Sequence, residues 1–282
     1  MSTHTNFRIY RYQLLPLDRN ETKDLFHDLQ PNEIIARKNE FFAESLVALP
    51  QNLQRRNSEI IVLVSQISQD LFSLQLAPSR PLTRETTNFQ LEKVENWPHI
   101  TAYILNSSDD QYLLIQDRVS AFASTDTVAN LVRRGTKHAL EKIGLSLHIE
   151  PLFNKTYFWR LVEEYKNRIT CLEFEFITPN MANISQTLAS TLKNLGKDTN
   201  AVREELTLQS DSASSLDITQ SNETIRGLVE YTSEGGGDIT LKIKGIRKKF
   251  HTSKSTREVY LSGLELSAKP EQIINILREA LK

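Results

Sequence analysis

The chain has little of what would make its chemistry easy to name. It has one cysteine, Cys171, in 282 residues. A single cysteine cannot close an intramolecular disulfide or build a Cys-rich zinc site, and it fits a reducing, cytoplasmic setting. No apolar run approaches the roughly 18 residues of a membrane-spanning helix. The longest, Ile60-Ile61-Val62-Leu63-Val64, has the length of a strand. The opening stretch "MSTHTNFRIYRYQLL" has no basic segment leading into an apolar one, so neither a signal peptide nor direct membrane insertion is expected. Lys and Arg number 34 against 35 Asp and Glu, a formal net charge of −1. Bulk charge gives no reason to bind a polyanion, so any such binding must come from local patterning.

Catalytic signatures are scarce as well. The 6 histidines include no His-x-x-x-His pair, and there is no phosphate-cradling glycine loop or Gly-x-Ser-x-Gly elbow. Glu173 and Glu175 in "LEFEF" share a strand face; paired carboxylates can hold a divalent metal in a nuclease, but these read first as the exposed acidic face of an amphipathic strand. Asp238 with Lys242 loosely resembles an Asp…Lys nuclease strand without its second acid. Cys171 lies in an apolar-rich strand and reads as core, and Trp97 and Trp159 read as packing anchors. Neither a cofactor nor a metal is expected.

What is present is a readable alternation of elements. "NFRIYRYQLLPL" alternates as a strand. Residues 21–29 and 33–48 read as helices separated by Pro31, with Phe41, Phe42, Leu46 and Leu49 on one stripe. From Glu59, β-rich runs and polar turns predict an antiparallel meander that includes a turn at Asn106–Asp110. Residues 125–143 read as a helix with a kink at Gly135, followed by the strand "LSLHIEPL". Then strand and helix patterns alternate: "RITCLEFEFI", "ISQTLASTLKNL", "EELTLQ" and "NETIRGLVEYT". The expected fold is α+β, a mostly antiparallel sheet with flanking helices. Residues 1–166 and 237–282 would form the main domain and residues 167–236 an inserted, swivel-like βαβα domain. Gly235, Gly236, Gly237 and Asp238 mark its exit, as a hinge or as a tight turn.

Charge patterning singles out "GGGDITLKIKGIRKKFHTSK", residues 235–254. In an extended chain Lys242 and Lys244 fall on one face, opposite Ile239, Leu241 and Ile243, roughly 7 Å apart. Arg247, Lys248, Lys249, Lys254 and Arg257 continue the run without an acidic residue. The rest of the chain therefore carries 34 − 7 = 27 basic against 35 acidic side chains, a formal −8. Such segregation is the footprint of a phosphate-binding surface. Lysines also guard sheet edges against aggregation, and most charge runs are simply solvated. Arg133, Arg134 and Lys137, beside His138 on the 125–143 helix, form a second cluster, with Glu141 placed to pair with Lys137.

The segment "IEPL" (149–152), an inserted unit, and then "DITLKIKG" (238–245) come in the order seen in the A proteins of the lambda-phage Rex exclusion system, which residues 100–260 resemble. "YLLIQDRVSAFASTDTVANLV" is similar to the strand-then-helix stretch ahead of "IEPL" in that family. "FRIYRYQLLPL" resembles bacterial defence-associated proteins of uncharacterised domain families. The Rex resemblance implies a dimeric, DNA-binding, non-catalytic sensor in phage exclusion, working with a membrane-protein partner. The family's basic strand would map onto Lys242 and Lys244, and its junction Asp onto Asp238. The glycines before Asp238 depart from the family pattern.

The expected partners are thus duplex DNA, bound without sequence preference, and a second copy of the chain. Two other readings stay open: a metal-dependent nuclease of a defence system, and a subunit whose basic strand meets an acidic protein such as a phage DNA mimic.

Overall fold

The computed structural model describes residues 4–17, 31–55, 58–177, 194–196, 198–262 and 269–281. In chain order its elements are β1 (His4–Pro16), α1 (Pro31–Ala36), α2 (Lys38–Val47), β2 (Asn52–Arg55), β3 (Ser58–Ser68), β4 (Leu71–Pro78), β5 (Leu82–Glu85), β6 (Leu91–Val94), β7 (Ile100–Asn106) and β8 (Gln111–Gln116). There follow α3 (Thr125–Glu141), β9 (Leu145–Pro151), α4 (Lys155–Glu164), β10 (Ile169–Ile177), β11 (Arg203–Gln209), α5 (Glu223–Tyr231), β12 (Gly237–Ile243), β13 (Phe250–His251), β14 (Glu258–Ser262) and α6 (Pro270–Leu281). The fold is α+β and mostly antiparallel: β1 pairs antiparallel with β14 and β9, and the ladders β2-β3-β4-β7-β8, β5-β6 and β11-β10-β12-β13 are antiparallel. None of the described helices is long and apolar enough to cross a membrane.

The chain forms two compact units. The first comprises residues 1–8, 37–143 and 258–282. Its sheet runs β14-β1-β8-β7-β4-β3-β2, in which β3, β4, β7 and β8 form the expected meander without the strand "FQLEKVENW". Strand β3 shows why the pattern works: Ile60 and Val62 are buried while Ile61 and Leu63 are exposed, the signature of a sheet with one covered face. The polar stretch after Asn106 closes the β7–β8 hairpin, with the Asp110 amide donating to Ser107 Oγ at 3.0 Å. β5 and β6 pair as a separate hairpin.

Helix α3 starts where Ser124 Oγ accepts from the Asp126 amide at 3.1 Å, and it buries Val128, Leu131, Val132, Thr136 and Leu140. The kink expected at Gly135 is not observed: one α-helix runs from Thr125 to Glu141. Packing accounts for the glycine instead, because a Cβ there would stand 2.4 Å from Leu49 Cδ2. An exposed helix would gain about 1 kcal/mol from Gly→Ala. Here overpacking costs about 1–3 kcal/mol, so Gly135→Ala is expected to lower stability slightly, read as an earlier midpoint in urea unfolding.

The second unit comprises residues 9–36 and 144–257. The later half of β1 pairs with β9, Tyr10 opposite Pro151 and Pro16 opposite Leu145. A four-stranded sheet follows, in the order β11-β10-β12-β13. Alternation in β10 sends Leu172, Phe174 and Phe176 into a core that also takes Phe158, Leu161 and Val162 from α4, Ile225, Leu228 and Val229 from α5, and Ile239 and Leu241 from β12. Both helices begin at an asparagine: Asn154 Oδ1 accepts from the Thr156 amide, and Asn222 Oδ1 from the Thr224 and Ile225 amides. Trp159 sets its ring edge-on to Phe158 at 4.9 Å, the packing role expected of it. Burial pushes the Tyr231 phenol far above its ordinary range while its hydroxyl donates to the Ile177 carbonyl.

The boundary drawn at residues 236/237 falls inside this unit. β12 pairs with β10 from Gly237 opposite Phe176 to Ile243 opposite Ile169, so the basic strand and the region read as an insert share one sheet and one core. The βαβα reading is met in its two strands, β10 and β11, and in its second helix, α5. Most of its first helix, "ISQTLASTLKNL", lies outside the described residues, as does the helix read over 21–29. Pro31 opens α1 as its first residue, the helix position that a missing amide proton suits best.

Candidate nucleic-acid interface

Strand β12 is a covered strand rather than a protective edge at its middle: Thr240 and Leu241 pair with His251 and Phe250 of β13 on one side, and β10 lies on the other. Its apolar residues point inward as the alternation required, and Ile239, Leu241 and Ile243 are buried. The opposite face carries Asp238, Thr240 and Lys242, whose neighbours across the sheet are Glu175, Glu173 and Cys171 on β10 and Glu205, Thr207 and Gln209 on β11. Directly opposed residues project to the same side of a sheet. Lys242 therefore stands on a face that also bears Asp238, Glu173, Glu175 and Glu205. A phosphate chain laid along that face would meet more negative than positive charge.

The second lysine is elsewhere. β12 ends at Ile243, and Lys244 begins the turn to β13. The turn is sharp because Gly245 has φ +82°, a backbone region that favours glycine, and because the Ile246 amide donates to the Ile243 carbonyl at 3.0 Å. The expected pair of ammonium groups on one strand face is thus replaced by an exposed turn that carries Lys244, Arg247, Lys248 and Lys249. Pairing with β13 stops at Leu241 and Phe250. The next step in the same register would set Lys242 opposite Lys249, and like charges directly opposed destabilise a ladder.

The turn does not stand alone. Arg168, in the connection between α4 and β10, donates from Nη2 to the Lys244 carbonyl at 3.0 Å, and the Lys244 amide donates to the Arg168 carbonyl at 2.7 Å. This fixes an exposed guanidinium, with exposed Lys166 two residues before it, beside the four turn cations. Among the described residues, Lys244, Arg247, Lys248, Lys249 and Arg168 form no ion pair with a carboxylate. Neither Arg168 nor Lys166 stood out in the sequence, since they lie far from the basic run; their signal is the β10–β12 register, which sets Ile169 opposite Ile243.

Lys254 is exposed on the short helical turn Thr252–Ser255. Arg257 is half-buried and engaged within the fold, its amide donating to the Leu152 carbonyl at 2.6 Å. Arg133, Arg134 and Lys137 belong to the other unit. All three are exposed on α3, but Arg133 donates to Asn130 Oδ1 at 2.7 Å and Lys137 lies 3.6 Å from Glu141, the pairing its spacing suggested. Arg134 makes no ion pair among the described residues.

The residues read as a hinge are fully committed. Gly235, Gly236 and Gly237 are buried, and Gly235 and Gly237 have φ +84° and +146°. Asp238 fastens β12 to the segment that includes β13 and the Thr252–Ser255 turn. Its Oδ1 accepts from the Ile239 amide at 2.9 Å, Thr252 Oγ1 at 2.9 Å and the Ser253 amide at 2.8 Å. Its Oδ2 accepts from Ser253 Oγ at 3.1 Å and lies 3.1 Å from His251 Nδ1. This carboxylate thereby sets the far end of the basic turn.

The same bonds engage both Asp238 oxygens within the fold, and Glu175 is bound to Arg203 in an ion pair. Among the described residues no group of three His, Cys, Asp or Glu side chains converges as a metal site. Cys171 is buried, as a core residue would be. Compared with protein-family models, curated proteins and solved structures, the chain finds no match.

Proposed function

We propose that this chain binds DNA without sequence preference, as a non-catalytic subunit of a cytoplasmic anti-phage system. The β12–β13 turn, together with Arg168, carries the contact. The supporting observation is the geometry of that turn: five exposed cations, Lys244, Arg247, Lys248, Lys249 and Arg168, drawn from two segments and locked together through the Lys244 backbone. Lys137 is paired with Glu141, whereas among the described residues none of these five is paired with a carboxylate. They sit on an exposed turn and in a helix-to-strand connection rather than along a helix that could enter a groove, so phosphate rather than base edges is their natural partner. The resemblance of "IEPL" and "DITLKIKG" to the Rex exclusion A proteins supports the placement in phage exclusion, the homodimer and a membrane-protein effector.

If five phosphates are neutralised on duplex DNA, log K falls against log salt with a slope of about −4.5. Fluorescence anisotropy with a labelled duplex across a salt series measures it. A slope near zero, or binding that is tight only for one sequence, would overturn the reading. An acidic protein partner would instead displace duplex DNA from the same turn in competition.

A further inference from the structure

The cations of the turn are interleaved with rings. The Tyr165 ring, at the end of α4, lies 5.5 Å from the Phe250 ring, tilted by 44°, and the Arg168 guanidinium sits over Tyr165 at 5.7 Å. Two helical turns earlier, Arg160 lies over the Tyr157 ring at 5.4 Å. Tyr157, Tyr165 and Phe250 pack against the core of the second unit with one edge, yet each is only partly buried and keeps a surface in water. Phe250 directly follows Lys249, and Arg168 is the residue bonded to Lys244, so the ring layer is continuous with the cationic turn on both sides.

Packing against the core covers only part of these rings, and phosphates alone would leave the rest without a partner. Unpaired bases give one: every base has a π face, and aromatic rings and guanidinium planes stack on it regardless of sequence. A base pair inside a duplex cannot reach such a layer, because both its faces are already stacked. Exposed Glu163 and Glu164 on α4 are opposing charges close by in the chain, and the Glu164 carboxylate accepts from the Tyr165 hydroxyl.

We infer that the Phe250–Tyr165–Arg168 layer is a stacking platform for an unpaired base, so that the preferred ligand is DNA in which a single-stranded segment adjoins a duplex. This rests on the proposed DNA binding at the basic turn and specifies its ligand. The test compares a blunt duplex with the same duplex bearing a single-stranded thymine overhang, using the full chain and its Phe250→Leu and Tyr165→Leu variants. Leucine keeps the apolar packing and removes the ring, and circular dichroism checks the fold of each variant. The wild type is expected to bind the overhang substrate about tenfold more tightly. Both variants should lose that preference while binding the blunt duplex as before. Equal affinity of the wild type for the two substrates, or a preference that survives in both variants, overturns the inference and leaves the DNA-binding reading intact. Failure to bind either substrate overturns both.

Discussion

Replacing Arg247, Lys248 and Lys249 together by glutamine is expected to weaken duplex binding by about 100-fold at moderate salt. The salt slope should fall from about −4.5 to about −1.8, three contacts of about 0.9 each being removed. Glutamine keeps length and solubility, and all three positions are exposed, so the fold should not register the change. The control is Lys242→Gln. On the strand pattern alone Lys242 would be a principal contact; in the sheet it stands among Asp238, Glu173, Glu175 and Glu205, where an approaching phosphate chain is repelled. Its neutralisation should change affinity by no more than about threefold, little more than a single rim charge is worth. The opposite ranking, with Lys242→Gln severe and the triple variant mild, would move the interface onto the sheet face and end the present assignment.

That contrast shows what the sequence could convey. Period-two alternation identified β12 and which of its residues enter the core, because inward and outward positions are a property of the strand itself. Segregation of positive charge between residues 239 and 257 was equally plain. What could not be read was the company each charge keeps. Glu173 and Glu175 meet β12 through a ladder whose partners lie about seventy positions away in the chain, and periodicity carries no information on register between distant strands. Arg168 was missed for the same reason. The end of the strand at Ile243 was marked by Gly245, but a lone glycine after alternating residues is as consistent with a bulge as with a turn. The two lysines were therefore read as one face when only one of them belongs to the strand.

The three glycines raise the same question and allow a sharper answer. Gly237→Ala is expected to destabilise the second unit by more than about 4 kcal/mol, a loss that belongs to the small class of severe substitutions. A Cβ at Gly237 would stand 1.8 Å from the Glu175 carbonyl oxygen and 2.8 Å from its carbon. Both are backbone atoms of the neighbouring strand, so no side chain can swing aside to make room. The φ of +146° adds backbone strain of about 1–3 kcal/mol for any L-residue. Relief would require β10 and β12 to separate where Phe176 faces Gly237, at the start of the ladder that holds the core. Gly236→Ala meets the Tyr231 carbonyl oxygen at 2.6 Å and should follow in the same direction. A freely moving hinge predicts the reverse sign: Gly→Ala in a flexible, unstrained segment stabilises by about 0.4–1 kcal/mol by restricting the unfolded chain. Urea unfolding of both variants decides between the two. Unchanged or raised stability would restore the hinge. A large loss, with affinity per folded molecule unchanged at the 244–249 turn, would establish that these glycines exist to let two strands and a helix end approach one another closely enough to hold that turn in place.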